Sequence, residues 1–273
     1  MYITPAITAI NSKFLSKYNT GLGNVLFQIA SCYGLAKMTN RTVSWNKVIE
    51  FGNILYNLYG LNHKDTIFRK CWAIAEVNFD IFYGLFTLEL DTHRIDSLKH
   101  INKHLEVYSY LENFEYFNFC RDEICELFSI DDSSLEQIKE SFPILFDSRY
   151  TTISIHFRGT EYINGIVGDR PWDYSFYKRA VDYYKNRISN VIFIIFSDEI
   201  DKIDLDFLGT SPYEKIHHSN DYIELWCMTM CKHNIISRST FSWWGAYLND
   251  NPEKTVLYNY NDSFIYQSLF TSI

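Results

Sequence analysis

Residues Val191 to Phe196 read Val-Ile-Phe-Ile-Ile-Phe, an unbroken apolar run that ends in Ser197-Asp198-Glu199. A strand with one wet face alternates polar and apolar residues, so a run of this kind reads as a strand buried on both faces, the habit of parallel sheets covered by helices. The neighbouring segments have the matching periods. Thr151 to Phe157 (TTISIHF) alternates and predicts a strand. Ser175 to Lys185 predicts a helix, with Phe176, Tyr177, Ala180, Val181 and Tyr184 on one face. Asp221 to Lys232 predicts a second helix and Asn234 to Ile236 a short strand. Ser239-Thr240 reads as the cap of a helix over Phe241 to Leu248, and Thr255 to Tyr258 as a last strand. This β-α-β-α-β order selects an α/β fold whose C-terminal part is a parallel sheet with helices on both faces.

In such sheets ligands bind beyond the carboxyl ends of the strands. Three consecutive predicted strands end in polar clusters: His156, Arg158, Thr160 and Glu161; Ser197, Asp198 and Glu199; Ser237, Ser239, Thr240 and Ser242. The sheet itself brings such ends together, which makes this edge the candidate site. A guanidinium can hold a diphosphate bidentately, and Arg158 is placed to do so, or to pair with Glu161 or Asp169. Arg238 reads better as a solvated charge beside the helix cap. His156 shares a strand face with Thr152, Ser154 and Arg158 and reads as a hydrogen-bonded histidine, in a structural role or beside the site. Asp198 either accepts hydrogen bonds from a base edge or ribose, or caps the following turn. Ser239, Thr240 and Ser242 suit a phosphate at a helix start and cap the helix as well. Trp243 and Trp244 read as core.

The first half is less clear. Thr20-Gly21-Leu22-Gly23-Asn24 reads as a glycine turn opening an amphipathic helix that carries Val25, Leu26, Ile29, Ala30, Tyr33 and Ala36. It lacks the full dinucleotide spacing and has no Gly-Lys-Ser/Thr, so it is no P-loop. Its backbone either approaches a sugar or phosphate, or forms a plain connection. Ser133 to Glu140 predicts another helix, while the aromatic-rich segments between about 50 and 130 give mixed signals.

Composition excludes several classes. The 25 Lys plus Arg against 33 Asp plus Glu leave a net charge of −8, the wrong sign for broad nucleic-acid binding. Apolar runs fall far short of the roughly 20 residues that span a bilayer, and the start lacks a signal-peptide pattern. Six cysteines without a CxxC pair argue against a disulfide scaffold or zinc site and for a reducing cytoplasm, with association at a membrane periphery left open. Cys227 and Cys231, four apart on a predicted helix, read as buried thiols. The length suits two lobes, 1–148 and 149–273.

GLGNVLFQIASCYGLA (21–36), ISIHFRGTEY (153–162), FSDEID (196–201) and LWCMTMCKHNIISRSTFSWWGAYLN (225–249) closely resemble glycosyltransferase family 11, the α-1,2-fucosyltransferases. That pattern runs GLGNQxFQYA, HxRRGDY, a strand ending in SDD, and CxHxIIxNSSFSWWGAWLN. The resemblance implies a compact two-lobed GT-B-like fold, a GDP-fucose donor, a glycan acceptor, and inversion without a metal or other cofactor. It implies that Gly21, Gly23 and Asn24 face the donor, with His156 beside it. Arg158 would hold the pyrophosphate, Asp198 the guanine or ribose, and Ser239, Thr240 and Ser242 would lie near the phosphate. Where the family has HxRRGDY, this chain has Gly159 for the second arginine and Glu161 for the acid; Val25 replaces the Gln and Arg238 an Asn.

The leading expectation is therefore fucosyl transfer through an oxocarbenium-like transition state. Arg158 and the 239–242 helix start would stabilise the departing diphosphate, and Glu161 would serve as base or orient Arg158. Transfer of another nucleotide-linked deoxysugar, such as rhamnose, and a non-catalytic glycan-binding role stay open. Acceptor contacts are expected from the N-terminal lobe, about residues 50 to 130.

Overall fold

In the computed structural model the described residues are 1–5, 21–44, 63, 65–74, 85–88, 95–107, 111–159, 172–259 and 269–272. The chain divides into two units, Met1–Asp131 and Asp132–Ile273.

The first unit contains β1 (Tyr2–Pro5), α1 (Leu22–Met38), β2 (Thr42–Val43), α2 (Arg69–Ile74), β3 (Leu85–Leu88), α3 (Ile95–Leu98), β4 (His104–Val107) and α4 (Arg121–Leu127). Its four strands form a parallel sheet in the order β2-β1-β4-β3. The sequence reading did not resolve these strands, because segments of two to four residues carry too few side chains to show a period. Helix α1 is buried on most of its surface, including Leu26, Phe27, Ile29, Ala30 and Leu35, as expected of a helix that is apolar nearly all round. Gly34 permits this burial: a Cβ there would stand 1.9 Å from the Tyr116 carbonyl oxygen. The predicted glycine turn is shorter than the sequence suggested. Gly21 is the N-cap, in extended conformation, and the helix begins at Leu22. Gly23 and Asn24 thus lie in its first turn, since burying Leu22 draws that residue into the helix.

The second unit contains α5 (Asp132–Ser141), β5 (Thr151–Phe157), α6 (Tyr174–Lys185), β6 (Val191–Ser197), β7 (Tyr213–Lys215), α7 (Asp221–Met230), β8 (His233–Ile235), α8 (Thr240–Tyr247), β9 (Val256–Tyr258) and β10 (Thr271–Ser272). Helix α5 belongs here, so the division falls at 131/132 and not at 148/149. The helix packs against α7, and Gln137 Nε2 lies 3.2 Å from His218 Nε2.

All six strands are parallel, in the order β10-β9-β8-β5-β6-β7. Every residue of β6 is buried, which bears out the reading of its apolar run. Alternation along β5 sorts the two faces. Ile153, Ile155 and Phe157 pack with Phe193, Ile195 and the α6 residues Phe176, Tyr177, Ala180, Val181 and Tyr184. Ser154 points the other way, where its Oγ accepts from Asn234 Nδ2 at 2.7 Å; Asn234 Nδ2 also donates to the Met228 carbonyl of α7 at 3.0 Å. Helices α7 and α8 pack together, and Trp243 and Trp244 are fully buried core residues, as expected. Helix α7 stops at Met230 and not at Lys232, because the Lys232 N–H donates to the Thr152 carbonyl at 2.8 Å.

Candidate functional site

The strand order fixes where a ligand would sit. From β5 the chain builds outward through β6 to β7, then returns through α7 to the other side of β5 and builds outward again through β8, β9 and β10. The reversal lies between β5 and β8, and open α/β sheets bind ligands at the carboxyl ends flanking such a point. His156, near the end of β5, and Ser237, two residues beyond β8, meet there, with Nδ1 2.7 Å from Oγ. Ser237 Oγ is 3.4 Å from Ser242 Oγ. The Ser242 hydroxyl also donates to the Ser239 carbonyl at 3.2 Å. Ser239 is the N-cap of α8, and its Oγ accepts from the Phe241 N–H at 3.3 Å. The chain of hydroxyls thus braces the first turn of α8 against the end of β5, and the N-terminus of α8 presents positive potential at the switch point.

His156 is buried, with Phe241 across its ring at 5.7 Å between centroids. Burial holds its pKa down at about 3, opposed by Asp198 and reinforced by Arg158. The imidazole is therefore neutral at physiological pH and serves as a hydrogen-bonding strut.

Arg158 and Asp198 occupy the adjoining strand ends, with Nη1 3.4 Å from Oδ2 and both side chains about one-third exposed. Trp172 Nε1 donates to the Arg158 carbonyl at 2.8 Å, and Asp198 Oδ1 accepts from the Gly159 N–H at 2.7 Å. Asp198 is not a helix cap: the short turn Ile200–Lys202 begins after Glu199 and has no side-chain cap. Six predicted site residues, His156, Arg158, Asp198, Ser239, Thr240 and Ser242, thus gather on one edge of one sheet. Glu161, Thr160 and Asp169 lie outside the described residues, as does part of the aromatic stretch assigned to the acceptor. Gly21, Gly23 and Asn24 belong to the first unit; a Cβ at Gly21 would meet nothing within 4 Å, and its φ of −63° does not require glycine.

Sequence reasoning missed a fourth strand end. Strand β7 leads into His217, His218 and α7. Glu224 Oε1 accepts from the His218 N–H at 2.7 Å and pairs with His217 Nδ1 at 2.9 Å. No period marks a strand as short as Tyr213–Lys215, so the two histidines looked like loop residues. Burial pushes Glu224 up to about 7. A carboxyl whose pKa is raised on folding binds its proton more tightly in the native state, so it costs stability as pH rises from about 4.5 to 7. His156, lowered on folding, acts in the opposite sense and costs stability as pH falls from about 6.5 toward 3. Glu224→Gln is expected to gain stability relative to the parent protein between pH 5 and pH 8, measured by urea unfolding at both. An unchanged difference at the two pH values would refute the assignment.

Among the described residues no group of three His, Cys, Asp or Glu side chains could hold a metal ion. Cys227 and Cys231 are buried thiols, and burial raises both above the usual range.

The family model for glycosyl transferase family 11 matches residues 6–271. The O-antigen biosynthesis glycosyltransferase WbnK of Escherichia coli is 26% identical, covering 87% of this chain and 90% of that protein. An alpha-1,2-colitosyltransferase of Escherichia coli is 25% identical, over 84% and 85% of the two chains. The crystal structure of fucosyltransferase NodZ from Bradyrhizobium superposes with a TM-score of 0.54 over 89% of this chain and 92% of that one, at 13% identity, a likeness of fold.

Proposed function

Because the chain belongs to glycosyl transferase family 11, we propose that it moves L-fucose from GDP-fucose to a hydroxyl of a glycan acceptor, with inversion, to form an α-1,2 linkage. The observation that carries this reading is Arg158 standing at the switch point where the braced N-terminus of α8 also opens. In the reaction the bond from the anomeric carbon to the diphosphate oxygen breaks and a bond to the acceptor oxygen forms. The hydroxyl proton passes to a carboxylate, for which Glu161 is the proposed base. Charge developing on the leaving GDP would be met by the Arg158 guanidinium and the amides and Thr240 hydroxyl of the α8 start, which do the work a divalent cation does elsewhere. His156 and Ser242 would hold that helix start in place. Gly21, Gly23 and Asn24 of the first unit are the proposed donor-facing turn; open space lies beside Gly21, and the Asn24 N–H is itself held by the Gly21 carbonyl at 3.0 Å.

No helix among the described residues is long and apolar enough to cross a membrane. The cytoplasm is the proposed compartment, supported by six cysteines that form no CxxC pair in the sequence.

A second reading keeps the site and changes the sugar. It is favoured by Gly159, which stands where the family pattern has a second arginine, and by the colitosyl-transferring relative. Calorimetric titration with GDP-fucose, other GDP-deoxyhexoses and UDP- and dTDP-sugars separates the two. Tightest binding of GDP-fucose is expected; preference for a UDP or dTDP donor would overturn the proposal, and preference for another GDP-deoxyhexose would select the second reading.

A further inference from the structure

Arg158 stands one residue past the last pairing of β5. The register with β8 ends at Ile155 opposite Ile235, and that with β6 at Phe157 opposite Ser197, so the sheet itself does not hold the arginine. Two aromatic side chains from the next element take over. Tyr177 of α6, a buried residue, donates its hydroxyl to the His156 carbonyl at 3.1 Å, and Trp172, two residues before α6, donates its indole N–H to the Arg158 carbonyl at 2.8 Å. Phe157 packs against both, its ring centroid 4.0 Å from that of Tyr177 and 5.6 Å from that of Trp172. Three successive residues are thus fixed, two by their carbonyls and one by its ring. The tryptophan is anchored in turn by its neighbours. Asp173 caps α6, accepting from the Phe176 N–H at 3.2 Å and from Asn259 Nδ2, just past β9, at 2.9 Å, while Tyr174 Oη accepts the Asp204 N–H beyond β6 at 3.1 Å. Residues 172–174 therefore tie together the segments that follow β5, β6 and β9.

We propose that Trp172 is a positioning residue for sugar transfer: acting with Tyr177, it fixes the backbone from which the Arg158 guanidinium reaches a diphosphate. The inference rests on the GDP-sugar reading above. Phenylalanine would supply the ring packing, whereas the indole N–H adds a bond to the carbonyl of the residue assigned to the leaving group. A small misplacement of such a group is costly in rate. Neither aromatic residue touches the donor, so their effect passes through Arg158.

GDP and guanosine are the probes, titrated into the parent protein and into Trp172→Phe, Tyr177→Phe, Arg158→Ala and the Trp172→Phe/Arg158→Ala pair, each checked for a cooperative urea transition. Trp172→Phe keeps a ring and removes only the donor, and it is expected to weaken GDP about fivefold, the scale of one neutral hydrogen bond. Guanosine affinity should stay as it was. With GDP-fucose, kcat should fall about fivefold while acceptor KM is unchanged. In the Arg158→Ala background Trp172→Phe should add almost nothing, because the two changes act on one interaction. Tyr177→Phe should show the same preference for GDP over guanosine loss, about threefold, and it carries the test if Trp172→Phe does not fold. A lower urea midpoint with parent-like GDP affinity, equal loss of GDP and guanosine, or a full effect in the Arg158→Ala background would each overturn the proposal. A parent protein that binds neither GDP nor guanosine would instead overturn the GDP-sugar reading on which it rests.

Discussion

Arg158→Ala is expected to lower kcat by about 10²–10³-fold, the scale seen when one preorganised donor to developing charge is removed, with acceptor KM little changed. The guanidinium is the cation at the β5 end of the switch point, anchored through its carbonyl by Trp172 and through its head by Asp198. Leaving-group charge grows as the glycosidic bond breaks, so a group aimed at it acts more strongly in the transition state than in the bound donor. Arg158→Lys keeps a positive charge but loses the planar fork, and should recover only part of the rate. Steady-state kinetics with saturating acceptor measure both. Full activity in Arg158→Ala would remove the central element of the mechanism.

Asn234→Leu should cost about 3 kcal/mol of stability, since each buried polar group left without its partner costs roughly 1–3 kcal/mol and such losses do not simply add. Asn234 is buried, and its amide donates to Ser154 Oγ at 2.7 Å and to the Met228 carbonyl at 3.0 Å. Its oxygen accepts from Asn249 Nδ2 at 2.9 Å, and that nitrogen also reaches the Cys231 carbonyl at 2.7 Å. These bonds tie β5, α7, β8 and the end of α8 together. Leucine fills a similar volume but offers none of them. Urea unfolding measures the loss, and parent-like stability would show that the network contributes little.

The same network explains which parts of the site were legible in the sequence. The segment 225–249 made the family resemblance specific, and much of it does structural work: Asn234 and Asn249 bond the layers, Trp243 and Trp244 fill the core, and Ser239 caps α8. Such residues leave a strong pattern because core volume and buried hydrogen bonding tolerate few side chains. Strand β5 matched its predicted bounds and β6 differed by one residue, since alternation and an unbroken apolar run are direct signatures of exposure.

Other features carry no local signature. Strand β7 is three residues long at the sheet edge, so the His217–Glu224 pair beyond it was invisible. The grip of Asp198 on Gly159 joins residues 39 apart in sequence. From pattern alone the glycine read as a lost cation, whereas the structure shows close approach of two strand ends. The unit boundary moved to 131/132 because α5 contacts α7, a long-range fact that no linker composition announced.

The most direct test is a crystal structure of the protein soaked with GDP. The proposed mechanism expects the β-phosphate within hydrogen-bonding distance of the Arg158 guanidinium and of the amide groups at the start of α8. GDP bound away from the carboxyl ends of β5 and β8, or bound there with Arg158 turned away from its phosphates, would contradict it.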